Sequence, residues 1–206
     1  MREITIDELR RELPISEWLK WARETLAEQE ATDEGKQYMR FNRSNKDAAK
    51  PFREEVMPTL RFAERQFARR DLLVTFPVDD GPADALIRSP TSSDYVPIQV
   101  TCDWTYEDEQ DLRLMHQQGW SPMRVFSIEE VSALIASRIA AKAAHSSEDT
   151  WLLVHINDER WPPEELQGVI AQAKAPAVGS FAATFLVGSS DEKRICELLN
   201  GTAIVP

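Results

Sequence analysis

The chain has 206 residues, a formal net charge of −11 and 42% hydrophobic residues. That length supports one domain with a sizeable core and no staples; its two cysteines make neither a disulfide framework nor a metal spacing, and no apolar run approaches the roughly 20 residues of a membrane-spanning helix. The acidic first turns, Met1–Glu8, lack a signal peptide's apolar centre, so the expected compartment is the cytoplasm, with no membrane partner.

In chain order, residues 6–30 read as helical, with Ser16 as an N-cap and Leu19, Ala22 and Leu26 on one face. Residues 31–50 are polar and broken by Gly35, which predicts a connection with little regular structure. A helix is expected from about Phe52 to Arg70, its apolar face Val56, Leu60, Ala63 and Phe67, with Pro58 kinking it or marking its first turn. Strands follow at 72–76, 83–87 and 95–101, joined by short turns as an antiparallel meander. Helices are expected at 107–118 and 127–145, the second opened by a capping box of Ser127 and Glu130. Trp151–Ile156 and Ala183–Val187 read as buried strands around a helix at 163–173, and the C-terminal tail as helical or irregular. Hairpin strands followed by strand–helix alternation predict an α/β domain with a mixed sheet covered by helices.

Charge is unevenly spread. Residues 36–70 hold ten Lys or Arg against four Asp or Glu, a net +6, which leaves −17 on the remainder. Tyr38, Phe41, Phe52, Phe62 and Phe67 are interleaved with these cations. Such a stripe suits phosphate tracking, with Lys50, Arg53, Arg61 and Arg65 as the expected nucleic-acid contacts. The competing reading is a solvated helix face whose aromatics are core.

The element order helix, three strands, helix, strand carries a recognisable pattern. Pro82-Ala83-Asp84-Ala85-Leu86-Ile87 and Pro97-Ile98-Gln99-Val100-Thr101 resemble the two motif strands of the PD-(D/E)XK, or restriction-endonuclease-like, nuclease superfamily. The resemblance implies an αβββαβ core over residues 51–206, with residues 1–50 as a helical extension packed on it. It further implies that Asp84, Gln99 and the Val100 carbonyl hold Mg²⁺, which lowers the pKa of its water and stabilises charge on a phosphate. Gln99 stands where the pattern has a carboxylate and Thr101 where it has a lysine, so any Mg²⁺ is expected to be held weakly and any phosphodiester hydrolysis to be slow. Gln99 and Thr101, two apart, share a sheet face. Glu55 and Glu64 on the preceding helix are candidates for a third acidic ligand, against a reading as surface carboxylates. Pro51–Pro58, Ile98–Thr101, Asp108–Arg113, Trp151–Val154 and Phe185–Gly188 together also resemble a narrower bacterial group on this fold, over about residues 51 to 200.

Other candidates carry less. His116, His145 and His155 have no His or Cys at helical spacing, and His155 reads as a core histidine. Cys102 has no triad partners in sequence, and Asp158 and Glu159 follow a strand end, a frequent site position in α/β sheets. Two readings therefore remain: a weak or silent nuclease-fold protein that binds nucleic acid or a protein partner, and a Mg²⁺-dependent nuclease. If the hydrolysis proves robust, some other group has to supply the missing lysine's charge, with Lys142 and Arg113 as the candidates to fold into the site.

Overall fold

The strands Trp151–Ile156 and Ala183–Gly188 are apolar on both faces, and that requires cover on both sides. In the computed structural model, which describes residues 3–41, 48–67, 70–78, 81–103, 127–145, 147–158, 161–174, 179 and 181–202, they are the centre of a seven-stranded mixed sheet. The strands are β1 (Leu13–Pro14), β2 (Leu73–Thr75), β3 (Ala85–Arg88), β4 (Val96–Cys102), β5 (Trp151–Ile156), β6 (Ala183–Gly188) and β7 (Cys196–Gly201), lying side by side in chain order. β1 to β4 pair antiparallel, β4, β5 and β6 pair parallel, and β7 returns antiparallel. The helices are α1 (Ile6–Leu9), α2 (Ile15–Glu30), α3 (Asp33–Phe41), α4 (Ala49–Pro51), a π turn (Phe52–Val56), α5 (Met57–Phe67), α6 (Ile128–Ala143) and α7 (Pro163–Ala173).

Alternation along the strands divides the core. Ile98, Val100, Trp151, Leu153, Phe185 and Val187 face α2, the π turn and α5, where they meet Trp18, Phe52 and Phe62. Leu152, Val154, Ile156 and Leu186 face α6 and α7, where they meet Val131, Ile135, Ile139 and Val169. The expected core residues Leu152, Val154, Phe185 and Val187 are all buried. Ile4, Leu9 and Trp18 belong to the same buried cluster as Phe52 and Trp151, so the N-terminal segment is packed on the sheet. No helix among the described residues is long and apolar enough to cross a membrane.

Several local expectations are corrected. The first 25 helical residues are interrupted: Leu13 and Pro14 pair with Val74 and Leu73, and Pro14, not Ser16, caps α2. Proline's fixed φ suits a strand edge and a helix entry equally. Residues 33–41 are helix, not connection. Gly35 is tolerated there because α3 folds tightly against the end of α2: a Cβ on Gly35 would stand 2.3 Å from the Gln29 carbonyl oxygen. Pro58 is the second residue of α5 and so lies in its first turn, one of the two places expected for it. The π turn lies one turn before it, where a proline removes the amide that α-helical bonding would use. The C-terminal tail forms β7, whose burial pattern alternates too weakly to announce a strand. The helix expected at 107–118 lies outside the described residues. Ser127 and Glu130 do form their capping box on α6.

Gly35→Ala is expected to lower stability by about 1–3 kcal/mol through overpacking against a main-chain oxygen. Chemical denaturation of the variant beside the wild type checks it; an unchanged midpoint would mean that α3 is not held against α2.

Candidate active site

Asp84 immediately precedes β3 and stands opposite Gln99, one step beyond the register pair Ala85–Ile98. Strand alternation puts both side chains on the α6 face of the sheet, with Leu152 beside Gln99 on β5. Asp84 is anchored at both ends. Its amide donates to the Ile98 carbonyl at 2.8 Å, and its Oδ2 accepts from the Val100 amide at 2.6 Å. The carboxylate is therefore pinned to the backbone of β4.

The same Oδ2 accepts from Lys142 Nζ at 2.9 Å. Lys142 comes from the last turn of α6, on the crossover between β4 and β5. The two side chains are 32% and 21% exposed, so the pair opens to solvent. A positive charge thus stands beside Asp84 although Thr101 provides none. Thr101 faces the same side as Gln99 by alternation and pairs with Val154.

Gln99 is held by its amide nitrogen, which donates to the Pro82 carbonyl at 2.6 Å. Its Oε1 is buried and has no hydrogen-bond partner among the described residues. A buried acceptor left unpaired costs about 1–3 kcal/mol, so this oxygen is a standing invitation to a donor or a cation.

Glu55 lies in the π turn on the opposite side of the sheet and senses the same centre. Burial, and then the Asp84 carboxylate, push its pKa up to about 7, while Lys142 and Lys50 pull it down. A carboxyl poised near neutrality is suited to taking a proton from water. Lys50 is half-exposed, 4.0 Å from Glu54.

The other expected site residues are elsewhere. Glu64 bonds Arg23 at 2.7 Å and lines a groove of about 380 Å³ with Ile15, Leu19 and Phe67, away from Asp84. Arg53 donates to the Met39 carbonyl and to Glu54, which ties α3 down. Arg65 donates to the carbonyls of Gly188, Ile195 and Ser190 at 2.8–2.9 Å, and its side chain is only 6% exposed. It is a clamp on the β6–β7 turn, not a surface cation. Arg61 is more open and lies 3.6 Å from Asp191. The expected basic stripe is therefore not one surface.

Among the described residues no three His, Cys, Asp or Glu side chains gather closely enough to hold a metal by themselves. What strand register brings to one face is the Asp84 carboxylate and, opposite it, the unpaired Gln99 amide oxygen, beside the β4 backbone. That all-oxygen set suits a hard cation retaining several waters and holding few protein ligands, as Mg²⁺ does.

Glu55 makes the stability pH-dependent. Its folded pKa, about 7, exceeds the ordinary 4.5, so the folded state holds this proton more tightly than the unfolded state. The protonated form stabilises the fold, and that contribution is lost as pH rises from about 4.5 through about 7. Glu55→Gln, permanently neutral, is expected to be more stable than the wild type at about pH 8, with the difference vanishing near pH 4. Denaturation midpoints across this range check the sign.

No family model matches the chain, no curated protein matches it, and no solved structure matches it.

Proposed function

We propose that this chain is a restriction-endonuclease-like protein that engages nucleic acid and hydrolyses phosphodiesters slowly, with Asp84 and Lys142 at its centre. The observation that carries the reading is the 2.9 Å contact between Lys142 and Asp84. It supplies from a helix the cation that the second motif strand lacks. The strand order adds support, since an antiparallel meander followed by a helical crossover to a parallel strand is the arrangement this superfamily implies.

In this reading Asp84, the Gln99 amide oxygen and the Val100 carbonyl would hold Mg²⁺, which would polarise the phosphate and activate water when bound. Asp84 is oriented by the Val100 amide; its Oδ2 is already taken by that amide and by Lys142, so Oδ1 is the oxygen left to a cation. Lys142 places its ammonium where charge develops on the phosphate oxygens. Glu55, on the other side of the sheet, acts on this centre through its field; the proton of the attacking water would pass to solvent, and solvent water would protonate the leaving oxygen. Gln99 contributes no charge, so cation affinity is low and turnover slow.

A second reading, a catalytically silent nucleic-acid-binding or protein-binding member, is favoured by one observation: Lys142 already neutralises Asp84. One experiment separates the two. The full chain is incubated with single- and double-stranded DNA and RNA in Mg²⁺ or Mn²⁺, beside Asp84→Asn and Lys142→Met. Slow cleavage that falls about 100-fold in each variant, with unchanged circular dichroism, supports the hydrolase. Equal traces of cleavage in all three proteins reject it and leave the silent reading.

A further inference from the structure

On the other face of the sheet, at the C-terminal end of β5, polar groups converge that the Asp84 centre does not use. His155 is only 8% exposed, and its Nε2 has no hydrogen-bond partner among the described residues. Strand alternation turns it toward α5. Arg61 on α5 is near enough to act on it electrostatically, and the Arg61 Nε is buried and likewise without a hydrogen-bond partner among the described residues. Asp158, fully buried, follows β5; its Oδ1 accepts from Ser189 Oγ at 2.9 Å and from the Ser190 amide at 2.7 Å. Its Oδ2 is tucked against Gly188, where a Cβ would approach to 2.6 Å.

Over this cluster lies Asp191, 84% exposed, its Oδ1 3.6 Å from Arg61 Nε and 3.7 Å from Arg65. The distance to Arg61 exceeds hydrogen-bond reach, so the carboxylate screens the guanidinium without satisfying it. We propose that Arg61 and His155 form a binding site for a phosphate group, and that Asp191 is the loosely seated carboxylate which that phosphate displaces.

The charges support an anion. Arg65 is committed to three carbonyls and feels the Asp158 charge, while the Asp158 Oδ2, buried and without a hydrogen-bond partner among the described residues, is turned against Gly188. With Asp191 swung away, Arg61 is the uncompensated cation. Burial, and then Arg61, lower the His155 pKa to about 3, despite the opposing pull of Asp158. The imidazole is therefore neutral at ordinary pH and able to donate one N–H to a phosphate oxygen. An exposed carboxylate held at long range binds weakly, whereas a phosphate makes short charge-assisted hydrogen bonds with a guanidinium. The site stands on the sheet face opposite Lys142, and nothing in it depends on Asp84 being catalytic.

The test uses the full chain carrying Asp84→Asn, without divalent metal, so that cleavage has no bearing on the outcome. Inorganic phosphate is titrated while the His155 ring resonances are followed by NMR, with affinity measured by calorimetry. Saturable shifts of the His155 ring are expected. Arg61→Gln should abolish them, and Asp191→Asn should tighten binding by up to about fivefold, the worth of an exposed ion pair. If Arg61→Gln does not fold, the tightening in Asp191→Asn decides alone. A His155 ring indifferent to phosphate, or unchanged affinity in Asp191→Asn, overturns the proposal. A 5′-phosphorylated dinucleotide binding more tightly than inorganic phosphate would assign the site to nucleic acid; equal binding would assign it to a free phosphate.

Discussion

Two parallel strands cannot be joined by a tight turn, because the chain must travel back along the sheet before it can pair again. β4 and β5 impose this condition here. The chain leaves Cys102 at one end of the sheet and re-enters at Trp151 at the other, with α6 on the return. α6 buries Val131, Ile135 and Ile139 against the sheet, which fixes both its height and its rotation. Its last turn then stands above the start of β3, and Lys142 meets Asp84 across 58 residues of sequence. The candidate centre is a by-product of how a parallel pair is closed.

That origin explains what the sequence revealed. β5 and β6 were legible because six successive apolar residues have few other fates. α6 was legible because Ser127 and Glu130 form a reciprocal cap. That Asp84 and Gln99 share a sheet face was legible through period-two alternation and a short hairpin. Lys142 was legible only as one of two cations that could fold into the site, since a lysine in a helix's last turn also has an ordinary explanation in complementing the helix dipole. β7 was missed because an edge strand with one face in solvent needs little apolar content. α3 was missed because Gly35, a helix breaker by propensity, serves a close approach of two main chains.

The basic segment shows the same limit. Ten cations in residues 36–70 look like a stripe on paper. In space Arg53 fastens α3, Arg65 fastens the β6–β7 turn, and Lys50 contributes to the field around Glu55. Local charge density along a chain predicts a surface only when the side chains have no buried acceptors to reach. The Gly188, Ser190 and Ile195 carbonyls at the β6–β7 turn are such acceptors, and a guanidinium reaches all three at once.

The π turn at Phe52–Val56 has a further consequence for how this protein can change. A π turn carries one residue more than an α turn, and removing that residue restores regular bonding without breaking the helix. Every side chain on its N-terminal side would then rotate by about 100° relative to α5. Arg61 and Arg65 would keep their places, while Lys50 would swing to a new bearing around the helix axis. A single-codon deletion in this turn is thus a phase adjustment between the two ends of one helix, through which a lineage could retune the field at Glu55 while leaving the β6–β7 clamp untouched.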